Sequence, residues 1–490
     1  MSQVYFIQEG EREMLRISGA TILLLLLVAA VLPVGAEESH WILMVTDWKV
    51  KRLADLGDLG DSFFRPDFDD SGWERAGIEA EPPYTDRFIL YRSWVKLSAA
   101  WKGKMSISFM GVDDDAVVYL NGEKVGQHEG WEESFDFDIT DVVQCGSKNL
   151  IAVLCDNSGG GEAGVYGSVS LILVGEMEKA KAREEAKLRA RLKEIKDKIV
   201  YETYRDNNWE LYMCNADGSN PMNLTNTPDV NELYPKASPD GKKICFVVDE
   251  GEGEAKIRNV YYMNMDGTGR TRIAENARQP CWKSDGTAIA YLKGESDKFS
   301  YLDYATKGIF IYNLETGEHK QHPNKELYHL YNPSWSPDGK WFASTVHGGM
   351  GYDHAILAIE ANGNGVFNLE ISGCRPDISP DGKKVAWGRT DWDLSVGDLD
   401  LTLPKPKVTN RRDVFKSSKP MKIYHIDWSP DGEFFAFSRG PIKEKSLGYA
   451  QEIVGIQAEG WNICVGDANG NWVEITTDGL SNKEPDWAEE

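Results

Sequence analysis

From residue 199 onward, short apolar runs alternate with polar turns, and the alternation itself recurs. Asn332-Pro333-Ser334-Trp335-Ser336-Pro337-Asp338-Gly339 leads into the more apolar Lys340-Trp341-Phe342-Ala343. Tyr234 to Gly241, Gln279 to Gly286, Arg375 to Gly382 and His425 to Gly432 restate it, and Glu484-Pro485-Asp486-Trp487 begins it once more. Each copy predicts a short strand, a turn and a second strand. Pro presets φ at the first turn position, Asp bonds back to the backbone, and Gly accepts positive φ. A variable loop, a third strand, a turn and a fourth strand follow. A four-stranded unit recurring every 43 to 59 residues predicts a β-propeller.

The count of blades comes from the two ends of this region. Ile199 to Tyr204 reads as a second-type strand with no turn before it, followed by Glu210 to Cys214 and Met222 to Thr225 as third and fourth strands. The copy at Glu484 is a first-type strand with no second strand after it. Joined, the fragments make a sixth blade, and closing the ring this way buries edges that would otherwise template aggregation. The repeat, with Asn215-Ala216-Asp217-Gly218-Ser219-Asn220 and Leu224-Thr225 at the third-strand turn and fourth strand, resembles the TolB-type, WD-repeat-like propellers. The resemblance covers residues 198 to 490; it implies a fold, and a fold of this kind carries many functions.

Residues 40 to 175 read as a separate all-β domain. Trp94 to Leu97, Met105 to Met110, Ala116 to Leu120, Phe135 to Ile139, Leu150 to Leu154 and Ser168 to Val174 are strand-like, and Asn121-Gly122 is a hairpin signal. The series Phe68-Asp69-Asp70-Ser71-Gly72-Trp73, Tyr91-Arg92-Ser93-Trp94, Gly111 to Gly122, Gly126-Gln127-His128 and Phe137-Asp138-Ile139-Thr140 resembles the galactose-binding-like N-terminal jelly roll of family 2 glycoside hydrolases. That domain often supports a catalytic barrel, which this chain lacks. Two readings stand for it. In one, Asp113, Asp114, His128, Trp131 and the loop Gly159 to Glu162 form a carbohydrate or calcium site. In the other, the aspartates cap turns, Trp73 and Trp94 are core, and the domain is a spacer.

Glu176 to Lys198 is rich in Lys, Arg, Glu and Ala, with Leu188, Leu192 and Ile195 at helical spacing, and predicts one amphipathic helix linking the domains. The fold class is therefore all-β: signal peptide 1–36, sandwich 40–175, helical linker 176–198 and six-bladed propeller 199–490. The signal is read from Arg12 and Arg16, the leucine-rich Ile22 to Val28 and the small-residue pattern Val34-Gly35-Ala36, with Met14 an alternative start. It implies a periplasmic or secreted protein, held at a membrane only where the signal stays uncleaved.

Composition narrows the partners. A formal net charge of -24 argues against nucleic acid, whose phosphates demand a basic face. Seven cysteines leave at least one unpaired. Cys145 and Cys155 flank a strand-like run that holds them roughly 20 Å apart, beyond disulfide reach. Buried, inert thiols are expected for all seven, with Cys214 and Cys464 at matching third-strand positions.

Aligning the copies places one residue per blade ahead of the Pro position: Tyr234, Gln279, Asn332, Arg375, His425 and Glu484. These six are expected to ring the central channel near its mouth, and they differ in chemistry from blade to blade. Loops joining second to third strands add His347, His354, Arg389, Trp392 and Arg439 to the same rim. The Ser-Pro-Asp-Gly turns are expected on the opposite face, with a structural role only. Arginine forks and histidines gathered this way suit a carboxylate-bearing or sulfated ligand; alternatively they pair with Asp353, Asp391 and Asp393. No Gly-x-Ser-x-Gly, phosphate loop or His-Glu-x-x-His is present. The reading is a non-catalytic protein that recognises a glycan or an envelope protein. The alternative is a propeller-fold lyase or hydrolase acting on an acidic or sulfated glycan, with His347, His354, His425 and Asp353 as metal ligands. No cofactor is called for, a structural Ca2+ being left open.

Overall fold

The computed structural model describes residues 41–57, 62–78, 83–130, 134–442 and 451–490. The signal region and Trp131 lie outside them. The chain divides into two compact units, one up to Arg183 and one from Glu184, with the boundary inside the helix α1 (Val174–Glu194). Among the described residues, no helix is long and apolar enough to cross a membrane.

The first unit is a sandwich of two antiparallel sheets. One has the order β1 (Ile42–Met44), β10 (Gly164–Leu173), β5 (Met105–Asp113), β8 (Phe135–Asp138). The other runs β3 (Glu74–Ala76), β2 (Trp48–Leu53), β4 (Phe88–Lys96), β9 (Lys148–Asp156), β6 (Asp115–Leu120), β7 (Glu123–His128). Inward side chains of both sheets, among them Trp48, Tyr91, Ile107, Phe109, Val118, Val153 and Leu171, share one buried core. The Asn121-Gly122 turn has positive φ at both residues, as a two-residue hairpin requires. Asp70 of the aspartate-rich motif accepts from Arg92 Nε at 2.8 Å and from Lys49 Nζ at 2.6 Å, so that motif pins a loop to a buried guanidinium. Trp94 departs from the core position expected of it. It is 43 % exposed because β4 turns Trp94 outward between the inward Ser93 and Val95.

The second unit is six four-stranded antiparallel sheets. Five are built from consecutive strands over residues 231–274 (β14–β17), 277–321 (β18–β21), 330–368 (β22–β25), 374–416 (β26–β29) and 421–474 (β30–β33). The sixth is composite: β34 (Ser481–Ala488) pairs with β11 (Lys198–Arg205), followed by β12 (Asn208–Asn215) and β13 (Met222–Asn223). Lys198 stands opposite Ala488 and Tyr204 opposite Ser481. Sheets pack face to face through their inner apolar positions, and each neighbouring pair shares a core cluster. Leu233, Cys245 and Val247 meet Ala277 and Ile289; Ala290 and Leu292 meet Leu330 and Phe342. The last sheet meets the composite one through Phe434, Ala436, Ile199, Tyr201 and Trp487. Leu188 and Leu192 of α1 enter that same cluster, burying the helix's narrow apolar stripe.

All seven cysteines are free thiols. Five are buried, whereas Cys145 and Cys374 are partly exposed, so the expectation of seven buried thiols is corrected at these two.

Candidate functional site

Every first strand of the propeller breaks register at one place, and the residue there has a left-handed backbone. The φ values are 52° at Tyr234, 48° at Gln279, 47° at Asn332, 57° at Arg375, 61° at His425 and 49° at Glu484. A bulge adds a residue to one strand and re-aims its side chain. Pro follows in five copies, a residue that offers no ladder N–H and is at home in a bulge, while Ile426 takes that place in the sixth.

The six side chains are buried and joined across the ring. Asn332 donates its side-chain N–H to Tyr234 Oη at 3.0 Å and its backbone N–H to Gln279 Oε1 at 3.1 Å. Arg375 donates to Glu484 Oε1 and to Asp303 Oδ2, both at 2.8 Å, and to the Glu452 carbonyl at 3.0 Å. His425 Nε2 lies 3.1 Å from Glu484 Oε1 and 2.8 Å from the Glu452 carbonyl. Burial, reinforced by the charges of Arg375 and Lys483, holds His425 well below the usual histidine range. The ring is therefore neutral, with the proton on Nε2 and a lone pair on Nδ1. Asp303 and Glu452 belong to second-to-third-strand loops, so Arg375 is bonded from the loop side of the ring.

The open space lies on the other side. A cavity of about 370 Å³ has five of the six at its floor (Tyr234, Asn332, Arg375, His425 and Glu484), and its walls include the turn prolines Pro239, Pro337, Pro380 and Pro430. None of His347, His354, Arg389, Trp392 and Arg439 lines it. The residues expected on the loop-face rim thus stand apart from this funnel, which opens on the turn face. From the second-to-third-strand loops, the Asp303 side chain and the Glu452 carbonyl reach inward to Arg375.

Sequence reasoning passed over the next ring of side chains, two residues beyond the first: Lys236, Cys281, Ser334, Asp377, Asp427 and Asp486. All line the cavity. Most are latches between blades. Asp486 accepts from the Ala237 N–H at 2.7 Å, Asp427 from the Trp487 N–H at 3.0 Å and Asp377 from the Trp428 N–H at 3.1 Å; Ser334 Oγ accepts from the Ile378 N–H at 3.0 Å. Lys236 Nζ bridges Asp486 at 2.6 Å and Asp427 at 3.1 Å. Burial and then the charge of Asp427 push Asp377 up to about 7 and Asp486 well above the usual carboxylate value. The signal was available, since this position also changes chemistry from blade to blade.

Above it stand Trp282, Trp335, Trp428 and Trp487. Trp282 Nε1 donates to the Lys236 carbonyl at 2.8 Å and Trp428 Nε1 to the Asp377 carbonyl at 3.2 Å. Trp335 Nε1 and Trp487 Nε1 are buried without a partner, as are Asn332 Oδ1 and His425 Nδ1.

The loop-face residues are committed elsewhere. Arg389 pairs with Asp413 at 2.8 Å and Asp393 at 2.6 Å, and Arg439 with Glu474 at 3.1 Å. His347 and His354 face each other, Nδ1 to Nδ1, at 3.3 Å, and His354 Nε2 is 2.9 Å from the Gly373 carbonyl. His425 is at the axis, not beside them. Trp392 is half-buried, its backbone N–H bonded to Thr390 Oγ1 at 3.0 Å. In the sandwich, Asp114 accepts from the Gly159 N–H at 2.8 Å and His128 stacks on Phe135 at 4.1 Å. Burial, then Asp114, pushes Asp113 up to about 6. No group of three or more His, Cys, Asp and Glu side chains is placed to hold a metal ion among the described residues.

No family model matches the chain. It is 39 % identical over 114 residues to a beta-galactosidase of Thermoanaerobacter pseudethanolicus, covering 20 % of this chain and 15 % of the relative. It is 26 % identical over 277 residues to dipeptidyl-peptidase 5 of Porphyromonas gingivalis, covering 46 % and 40 %. A TolB homologue of Chlorobaculum tepidum is 32 % identical over 108 residues, covering 21 % and 24 %. The chain thus spans at most two fifths of the length of these relatives. The six repeated sheets, together with the match to the TolB homologue, support a propeller of the TolB type.

Proposed function

We propose that the chain is an exported binding protein whose propeller receives a segment of a partner protein in the turn-face funnel. One observation carries this reading: the funnel's lining holds four buried polar atoms without partners, Asn332 Oδ1, His425 Nδ1, Trp335 Nε1 and Trp487 Nε1. Protein interiors leave few such atoms unpaired, and a ligand supplies what the fold does not. Two are acceptors and two are donors, which is what a peptide, with its N–H and C=O groups, complements. A glycan fits less well. Sugar rings stack on open aromatic faces, and here the Trp428 ring packs 4.3 Å from Phe435 and the Trp335 ring 4.5 Å from Phe342. Export rests on the leucine-rich stretch Ile22 to Val28 and the small residues before Glu37.

The test is selection from a displayed random-peptide library on the intact chain, with Ala237→Trp as the blocked control. Ala237 lines the funnel at the position where four other blades carry Trp. Peptides that bind the native chain and lose binding to A237W support the reading; a library that yields none overturns it.

A further inference from the structure

Resting on the reading above, we infer that the received segment is anchored by a cationic side chain, a lysine or arginine of the partner, standing on the funnel floor among Asn332, His425 and the aspartates. The charge balance of the lining comes first. Five acidic side chains, of Asp377, Asp427, Glu484, Asp486 and Glu489, line the funnel beside two cations, Lys236 and Arg375. Both cations are already committed: Lys236 to Asp427 and Asp486, Arg375 to Glu484 and Asp303. Acidic groups outnumber cations, and burial with like charge nearby favours the protonated form of Asp377 and Asp486, a repulsion that an incoming cation relieves.

Hydrogen-bonding capacity points the same way. The Asp427 oxygens take Lys236 and the Trp487 N–H; those of Asp486 take Lys236 and the Ala237 N–H; those of Asp377 take Ser334 and the Trp428 N–H. Asp427 and Asp486 also share a hydrogen bond, and the remaining oxygens keep a second lone pair. Asn332 Oδ1 and His425 Nδ1, both on residues more than nine-tenths buried, are acceptors with nothing bonded to them. Beside the Tyr234 hydroxyl and the third Lys236 N–H, the floor therefore offers more free acceptors than donors. An ammonium brings three N–H groups and a guanidinium five, with the charge the lining lacks. Prolines and indole edges around the wall suit the methylene stem of such a side chain. Trp335 Nε1 and Trp487 Nε1 are left to bond carbonyl groups of the backbone that carries it.

The experiment uses the peptides selected above. A recurrent Lys or Arg at one position of the A237W-sensitive peptides, with at least tenfold weaker binding when that residue becomes norleucine, is the expected result. A second measurement does not depend on the variant folding: the same peptide with a diazirine-bearing lysine, photolysed on the native chain, is expected to label residues among Lys236, Asn332, His425 and Asp486. Funnel-dependent peptides with no basic residue, or undiminished by norleucine, overturn the inference and leave the binding reading standing. Labels confined to the loop face overturn both. Displacement of the peptide by glucosamine oligomers but not by lysine-containing competitors replaces the protein partner with a glycan and overturns the inference as stated.

Discussion

Arg375 and Glu484 meet across the propeller axis, Nη1 to Oε1 at 2.8 Å, with both side chains 6 % exposed and 109 residues apart in sequence. Glu484 belongs to β34, which completes the composite sheet, and Arg375 to the blade of residues 374–416. The ion pair thus ties the closing strand to the ring's interior.

Truncating one partner of a buried ion pair leaves the other charge uncompensated. Arg375→Met is expected to cost about 3–5 kcal/mol, because both Glu484 and Asp303 lose their cation. Combining it with Glu484→Gln is expected to cost clearly less than the two single changes added together. Urea denaturation of the four members of the cycle measures this, and strict additivity would refute the coupling.

Three buried carboxyls shape the pH response. Burial pushes Glu202, Glu232 and Asp377 each up to about 7. A carboxyl raised in the folded state favours folding while protonated, and that contribution is lost as pH climbs from about 4 through about 7. The carboxylates lowered by hydrogen bonds in the turns, such as Asp240 and Asp381, act below that window, losing their contribution as pH falls. The melting temperature is therefore expected to be highest at mildly acid pH and to fall by pH 8. Asp377→Asn is expected to flatten that fall; a variant whose pH profile parallels the native one would remove Asp377 from the explanation.

Two turn glycines allow a matched comparison. Gly241 and Gly432 both have positive φ, 65° and 73°, so alanine at either pays the left-handed penalty of about 1–2 kcal/mol. At Gly432 an added Cβ meets open space, whereas at Gly241 it would overlap the Glu489 carbonyl. Gly241→Ala is expected to be the more destabilising by at least about 1 kcal/mol. Equal losses would mean that the backbone after β34 yields freely.

Leu192 is 1 % exposed and packs on the cluster joining the last and composite sheets. Leu192→Ala is expected to destabilise the propeller by about 2–5 kcal/mol, read from its unfolding midpoint. No change would mean that α1 is dispensable to it.

The repeat was legible because its chemistry is local. Ser336 Oγ bonds Asp338, the Trp341 N–H bonds back to Ser336, and Gly339 turns the chain, all within six residues. The six positions ahead of Pro were legible for the same reason, being fixed by a motif beside them. What the sequence left open was long-range. That Lys236 would bridge Asp427 and Asp486, 191 and 250 residues away, depends on where the ring brings its blades. Nor does any local pattern tell that Asp303 reaches Arg375, since the two meet only after the ring has closed. Trp94 shows the limit in the sandwich: aromatic and strand-borne, it nonetheless sits on the outward phase of its strand.

The pairing of β34 with β11 also bears on synthesis. Some 280 residues separate the two strands that share this sheet, so a ribosome must have released Ser481–Ala488 before the composite blade acquires its inner strand. Until then its inner edge stays uncovered through most of translation, a window in which a nascent chain needs either speed or a guardian.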